Sequence, residues 1–119
     1  MKIEDISWWY IINLARREDR KTAFYQAWQG TGLPFELFTA CDGNDFTPPK
    51  TWDAGSGAWG CYLSHITLMN QAIRFGDEHF VILEDDARPT ENFQEHLAAT
   101  LADLPDDYDQ LYIGWQALH

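Results

Sequence analysis

The octapeptide Val81-Ile-Leu-Glu-Asp-Asp-Ala-Arg88 joins a short apolar run to three adjacent carboxylates. Its apolar part is typical of a buried strand, and the strand ends where Glu84, Asp85 and Asp86 begin. Open α/β sheets bind ligands at the carboxyl ends of their strands, so this position favours a metal-bound nucleotide. Mg²⁺ and Mn²⁺ prefer carboxylate and phosphate oxygens as ligands. The alternative is a solvated acidic turn in which Arg88 neutralises part of the charge.

The first forty residues predict a strand, a helix and a second strand. The continuous apolar run 8–14 lacks a two-residue alternation, which is typical of a strand buried on both faces of a parallel sheet. Apolar residues at helical spacing predict a helix over about residues 17–29. Pro34 then introduces a short strand at 35–40.

The segment 42–58 is rich in glycine and proline and is too long for an ordinary connection, so we expect a functional lid. A second helix follows, ends at Gly76 and leads into the strand at 79–83. Residues three or four positions apart predict the face that this helix buries. They are Trp59, Leu63, Ile66, Met69 and Ile73.

The carboxyl-terminal part predicts one more helix and one more strand. Thr90 or Asn92 is expected to cap the helix, Pro105 to stop it, and residues 109–115 to form the strand. Its apolar stripe consists of Phe93, Leu97, Leu101 and Leu104. The order of elements predicts an α/β fold, a three-layer α/β/α sandwich around a mostly parallel, Rossmann-like sheet, in one domain spanning 1–119.

The composition excludes some classes of partner. Eight Lys and Arg against 19 Asp and Glu give a net charge of −11, which repels nucleic acid and anionic membranes. No apolar run reaches the ~18 residues of a membrane span, so we expect a soluble, cytoplasmic protein. Cys41 and Cys61 match no metal-binding spacing and are expected to be free buried thiols. Trp52 lies in a polar loop and is a candidate for contact with a ligand or a partner.

Three segments together resemble glycosyltransferase family 25, the group of lipooligosaccharide (lipopolysaccharide) and collagen galactosyltransferase-like enzymes with a GT-A fold. They are Tyr10-Ile-Ile-Asn-Leu-Ala-Arg-Arg-Glu-Asp-Arg20, Gly60-Cys-Tyr-Leu-Ser-His65 and Leu83-Glu-Asp-Asp-Ala87, the last at the place of the family's DXD-like metal motif. Weaker matches are Ala40-Cys-Asp-Gly43 and Tyr108-Asp-Gln-Leu-Tyr-Ile-Gly114. Five fragments in the family's order cover nearly the whole chain, which favours a short GT-A member, or the nucleotide-binding half of one.

The resemblance implies a metal-dependent glycosyltransferase that moves a hexose, galactose or glucose, from a UDP-sugar donor to a saccharide or other hydroxyl acceptor. Mn²⁺ or Mg²⁺ would bridge the diphosphate to the acidic motif, with Asp86 as the main ligand. Glu84 is the other expected metal ligand, and Glu84 or Asp85 would otherwise face the ribose or hold water on the metal. Glycosyl transfer itself favours such a cation, because a nucleoside diphosphate leaves with developing negative charge.

The candidate nucleotide-sugar ligands lie in the matched motifs. They are Asn13, Arg16, Arg17, Arg20, Asp42, Ser64, His65, Glu84 and Asp85. Each has an ordinary structural alternative: the arginines could pair with surface acids, His65 could be a hydrogen-bonded helical residue, and Asp42 could form an Asx turn. These alternatives stay open from the sequence.

The family resemblance also raises an expectation about what is missing. Members usually continue well beyond the point where this chain stops, and the later part normally supplies the general base. Asp53, Asp109 and His119 are available as bases, but the spacing favours none of them, so the catalytic residue is unassigned. If the final strand is an exposed edge, pairing with another copy would follow, so we expect a homo-oligomer.

Two other classes of protein compete with an active transferase. A response-regulator receiver domain has a similar acidic pair, but it needs a later phospho-accepting Asp and a lysine beyond it, and the lysines here are Lys2, Lys21 and Lys50. A non-catalytic, truncated GT-A-like domain that binds a sugar nucleotide or a protein partner is the stronger rival. Transfer or hydrolysis of a donor would separate these two.

Overall fold

A parallel three-stranded sheet forms the centre of residues 6–89, one of two compact units in the computed structural model, which describes residues 1–114. The strands are β1 (Trp8–Asn13), β2 (Phe35–Thr39) and β3 (Phe80–Glu84), in the order β2-β1-β3. Both pairings with β1 are parallel. The mixed α/β class and the parallel, Rossmann-like sheet are therefore confirmed.

The central strand β1 is buried on both faces, as its continuous apolar sequence predicts. On one face, Trp9 contacts Phe35 edge-on, and Phe35 packs against the aromatic rings of α1 (Glu18–Trp28). On the other face, Tyr10 and Ile12 form the core with Leu68 and Ala72 of α2 (Ser56–Phe75). Successive side chains of a strand point to opposite faces, so helix, sheet and helix form three layers within this unit.

The buried face of α2 differs from the predicted one. Gly60, Ser64, Leu68 and Ala72 are buried, whereas the predicted stripe residues Ile66, Met69 and Ile73 are exposed. Small residues occupy this face because α2 closely approaches the backbone of the segment after β2. A Cβ added at Gly60 would lie 2.6 Å from the Cys41 carbonyl oxygen. Gly76 ends the helix in the left-handed conformation, as predicted.

The predicted lid at 42–58 is shorter than expected. Gly43–Asp45 form a turn of 3₁₀ helix, and the last three residues of the segment already belong to α2. Trp52, in the remaining loop, packs edge-on against Trp59 at a ring-centroid distance of 5.0 Å and also contacts Tyr62. The loop is thus held against the first turns of α2 by aromatic contacts.

The second unit combines residues 1–5 with the segment from Thr90 onward. Its helix α3 (Phe93–Ala102) starts after Asn92 and buries Leu97 and Leu101, as the stripe predicted. The strand predicted at 109–115 is wrong for its described part, because residues 109–114 form no ladder with a neighbour. Trp115 lies outside the described residues. Within residues 1–114, no helix is long and apolar enough to cross a membrane.

Candidate functional site

The carboxyl ends of the three strands bring distant polar residues together. β1 ends at Asn13, β2 at Thr39 and β3 at Glu84, and parallel pairing puts these ends at one edge of the sheet. Asn13 and Asp85 are both buried there. Buried polar groups need partners, so the contacts of these two residues show how the edge is built.

A partly buried hydrogen-bond network lies on the α1 side of this edge. Asn13 Nδ2 donates to Asp85 Oδ2 at 2.8 Å, and an Arg20 guanidinium nitrogen lies 2.8 Å from Asp85 Oδ1. The same nitrogen is 3.4 Å from Asp86 Oδ2, and Arg88 donates to the Asp85 carbonyl oxygen. Both oxygens of the Asp85 carboxylate are thereby satisfied by the protein. Asp85 fixes the turn after β3, while Asp86 keeps a 63% exposed side chain.

Glu84 belongs to a different group of side chains, on the α2 side. Its Oε1 accepts a hydrogen bond from Cys61 Sγ at 3.1 Å and lies 3.9 Å from His65 Nε2. The imidazole, and then the thiol, hold the pKa of Glu84 at about 2, although partial burial opposes this. Partial burial of the thiol, reinforced by Glu84, raises the pKa of Cys61 to about 11. The adjacent carboxylates Glu84 and Asp85 therefore have separate surroundings.

Ser64 has a positioning role in the structure. Its hydroxyl donates to the Gly60 carbonyl oxygen and accepts from the Cys41 backbone N–H, both at 2.8 Å, and the side chain is fully buried. These bonds attach the turn after β2 to the second and third helical turns of α2. Direct contact of Ser64 with a nucleotide stays a prediction, for which this hydroxyl would have to give up its present partners.

Asp42 combines an Asx-type turn with an ion pair. Its Oδ1 accepts from the Asn44 backbone N–H at 3.1 Å, and its Oδ2 accepts from Arg16 Nε at 3.0 Å. The Asn44 N–H, and then Arg16, lower the pKa of this carboxyl. The pair ties the turn after β1 to the turn after β2, and Arg16 stays largely exposed beside them.

Arg17 does not join the carboxylate triplet. Its guanidinium forms a two-pronged pair with Asp19, at 3.0 and 2.9 Å, and both groups are exposed. Arg17 holds the pKa of Asp19 at about 2. The surface ion pair that the sequence left open is therefore what the structure shows for Arg17, whereas Arg20 reaches Asp85 and Asp86.

Sequence reasoning missed Cys61 as a candidate site residue and expected it to be buried. The thiol is free, but the residue is exposed and its Sγ contacts Glu84. One signal was present, because Cys61 and His65 are four residues apart and so share a face of the helix. The third member, Glu84, comes from a different element, and only the fold reveals its proximity.

The protein belongs to the class of α/β proteins with a parallel, Rossmann-like sheet, and arginines and carboxylates lie at the carboxyl edge of that sheet. Within that class, the model of Glycosyltransferase family 25 (LPS biosynthesis protein) matches residues 7–117, and the chain belongs to this family. The match includes every candidate nucleotide-sugar and metal ligand named above, from Asn13 to Asp86. The family resemblance expected from the sequence is thereby confirmed.

Individual relatives are similar over most of this chain but are themselves much longer. A glycosyltransferase 25 family member of Anopheles gambiae is 30% identical over 92% of this chain and 22% of its own length. Procollagen galactosyltransferase 1 of Danio rerio is 25% identical over 88% of this chain and 21% of its own. Procollagen galactosyltransferase 2 of Homo sapiens is 24% identical, over 92% and 20% respectively. The chain thus spans about a fifth of the length of these relatives.

Proposed function

We propose that this protein transfers a hexose from a UDP-sugar donor to a hydroxyl acceptor such as a saccharide, and that residues 6–89 bind the donor. The family match over residues 7–117 carries the proposal. The structure supports it by placing the exposed Asp86 and the guanidinium of Arg20 at the sheet edge where α/β folds bind nucleotides.

The donor chemistry requires positive charge beside the diphosphate, in a chain whose net charge is −11. Arg16 and Arg20 both extend from the segment after β1, and both are partly exposed. Guanidinium groups bind phosphate oxygens with two parallel hydrogen bonds. We therefore assign phosphate contacts to Arg16 and Arg20, each of which engages carboxylates at this edge through one nitrogen. We assign none to Arg17, whose guanidinium already uses two nitrogens on Asp19.

A divalent cation fits this edge at Asp86. An exposed carboxylate that keeps free lone pairs suits Mn²⁺ or Mg²⁺, which are usually held by one or two carboxylates together with phosphates and water. Such an ion would stabilise the charge that develops on the leaving diphosphate. The second expected ligand, Glu84, now contacts Cys61 and His65, so its part in this metal site stays a prediction.

The proposal leaves the general base open. Asp53 and Asp109 are exposed and lie outside the contacts described at the sheet edge, and His119 lies outside the described residues. A domain that binds the donor without transferring it would share every feature above. Binding and turnover must therefore be measured separately.

Thermal denaturation with UDP and Mn²⁺ tests the binding part. A ligand that binds only the folded state raises the midpoint, so wild-type protein should shift with both present. Asp86→Ala should abolish the shift, and the matched control Asp106→Ala, an exposed acid in the other unit, should retain it. An unchanged shift in Asp86→Ala would refute the cation assignment, and no shift in wild-type protein would refute the proposal.

Turnover of UDP-galactose and UDP-glucose tests the catalytic part. Release of UDP that depends on Mn²⁺ and is absent in Asp86→Ala supports transfer or hydrolysis of the donor. Tight UDP binding without any release of UDP from either sugar nucleotide would instead identify the chain as a donor-binding module.

A further inference from the structure

We propose that Cys61, His65 and Glu84 form a second cation site, selective for a borderline metal such as Zn²⁺ and distinct from the donor-bound cation at Asp86. Among the described residues 1–114, these three are the group of acidic, cysteine and histidine side chains whose ligand atoms all lie within 4.8 Å of one another. The inference is independent of the proposed transferase activity, because it uses another face of the sheet edge.

The geometry comes from one helix and one strand end. Cys61 and His65 are four residues apart on α2, so their side chains share a face, and Glu84 ends β3 opposite them. Cys61 Sγ is 3.1 Å and His65 Nε2 is 3.9 Å from Glu84 Oε1. Small rotations about the side-chain bonds are enough to aim all three atoms at one ion.

The positions of the two helical ligands are fixed by their neighbours. Gly60 and Ser64 immediately precede Cys61 and His65, and both are buried against the turn after β2. A Cβ at Gly60 would overlap backbone atoms, so the helix cannot rotate about its axis without losing this packing. A site on a rigid element loses little conformational freedom when it takes up a ligand.

The donor set favours a borderline metal over a hard one. One sulfur, one imidazole nitrogen and one carboxylate oxygen match the ligands of Zn²⁺, whereas Mg²⁺ and Mn²⁺ prefer oxygen alone. Three protein ligands leave one position of a tetrahedral ion for water, and the exposure of Cys61 and Glu84 allows water to reach it. On binding, the Sγ–metal bond replaces the Sγ–H bond, and the proton passes to solvent.

The charges around the site are compatible with a cation. Thiolate and carboxylate together neutralise a divalent ion, and the negative Asp86 also acts on Cys61. The nearby positive group, Arg20, is engaged by Asp85 and Asp86 on the α1 side. Without metal, the Cys61 thiol stays protonated and donates to Glu84, so it is no strong nucleophile at neutral pH.

Co²⁺ is the probe of choice, because a thiolate ligand gives Co²⁺ an intense near-ultraviolet charge-transfer band. Untagged protein should bind one Co²⁺ per chain with this band, and Zn²⁺, but not Mg²⁺, should displace it. Cys61→Ser should abolish the band, and His65→Gln should weaken Zn²⁺ binding at least about tenfold. Circular dichroism of each variant establishes that it is folded.

Two controls isolate the site. Cys41→Ala removes the other free cysteine and should keep the band, and Asp86→Ala should keep it while losing the shift with UDP and Mn²⁺. Absence of the band in wild-type protein, or its loss in Cys41→Ala but not in Cys61→Ser, would overturn the proposal. Because Asp86→Ala separates the two ions, failure of one site leaves the test of the other intact.

Discussion

The two sides of the sheet edge are held by different forces. On the α1 side, the buried Asn13 and Asp85 and the partly exposed Arg20 form a network of charge-assisted hydrogen bonds. On the α2 side, Gly60 lets the helix approach the backbone closely, while Glu84 and its neighbours stay partly open to solvent. Glu84 is the last residue of β3 and Asp85 begins the turn that follows, and their side chains contact groups on these opposite sides.

This difference teaches that three consecutive carboxylates need not form one site. Asp85 is held by protein partners on both carboxylate oxygens, and Asp86 is exposed, with a longer 3.4 Å contact to Arg20. Glu84 belongs to a cluster with a thiol and an imidazole. The stability of the α1 side therefore depends on keeping every partner of its charged groups. The stability of the α2 side depends on keeping small residues where the helix meets the backbone. The following substitutions test this contrast.

Asp85→Ala should have the largest effect on stability. It leaves Asn13 and Arg20 without their buried partner, and breaking such a network costs about 3 kcal/mol. Urea denaturation measures the free energy of unfolding. Asp86→Ala is the control, because its exposed side chain should change this free energy by about 0.5 kcal/mol or less. Equal losses in both variants would remove the distinction between the two carboxylates.

Gly60→Ala should destabilise the α2 side by about 2 kcal/mol, because the added methyl group meets the Cys41 and Gly43 backbone. Gly57→Ala, on the same helix, has open space around it and should stabilise the protein by up to about 1 kcal/mol through helix propensity. Denaturation of the two variants should therefore move the midpoint in opposite directions. Shifts of the same sign would contradict close packing at Gly60.

Tyr10→Phe removes a hydrogen bond of 2.6 Å from the Tyr10 hydroxyl to Asp77, which follows the carboxyl end of α2. We expect the free energy of unfolding to fall by about 1 kcal/mol. Burial, and then this bond, raise the pKa of Tyr10 to about 12. The stability from a raised pKa is fully present below the unfolded value near 10 and is lost as the pH rises towards 12.

Denaturation between pH 9 and pH 12, roughly the range set by the tyrosine pKa values, should therefore show a smaller decline for Tyr10→Phe than for wild-type protein. Tyr25→Phe serves as the control, since Tyr25 is exposed. If the two variants follow the same alkaline curve, Tyr10 is not the group that titrates.

Arg17→Ala should have the smallest effect. Arg17 and Asp19 form an exposed pair at the start of α1, and such pairs contribute little. We expect an unchanged denaturation midpoint and unchanged binding of UDP with Mn²⁺. A loss of UDP binding in Arg17→Ala, at unchanged stability, would show that Arg17 leaves Asp19 to contact the donor.

The order of elements up to β3 could be predicted from the sequence, because periodicity and glycine stops are local signals. The face of α2 could not, since the apolar count pointed to Ile66 and Ile73 while close approach selected Gly60 and Ala72. How closely α2 can pack depends on the position of the backbone opposite it. The sequence pattern of the helix alone does not contain that information. The strand predicted at 109–115 is wrong over its described part, 109–114, for a similar reason, because a ladder needs a neighbour as well as a suitable sequence.

The candidate site shows the same limit. Motif matches identified Asn13, Arg20 and the three carboxylates, and the structure brings Asp85 and Asp86 to Asn13 and Arg20. Glu84 lies apart, with Cys61 and His65. Their division between two sides of the sheet followed only from the fold. The contact of Cys61 with Glu84 joins residues that are 23 positions apart, and it was therefore invisible to a search for short ligand spacings.

The topology of the sheet also has a consequence for how the chain folds. β1 is synthesised first yet lies in the centre, and its end residue Asn13 meets a partner, Asp85, that is 72 positions away. Contacts between such distant residues form slowly, because chain entropy must be overcome before they stabilise anything. During synthesis, one edge of β1 therefore stays unpaired until β3 has left the ribosome. We expect the rate of this closure, more than the final stability, to set how much of the protein escapes aggregation.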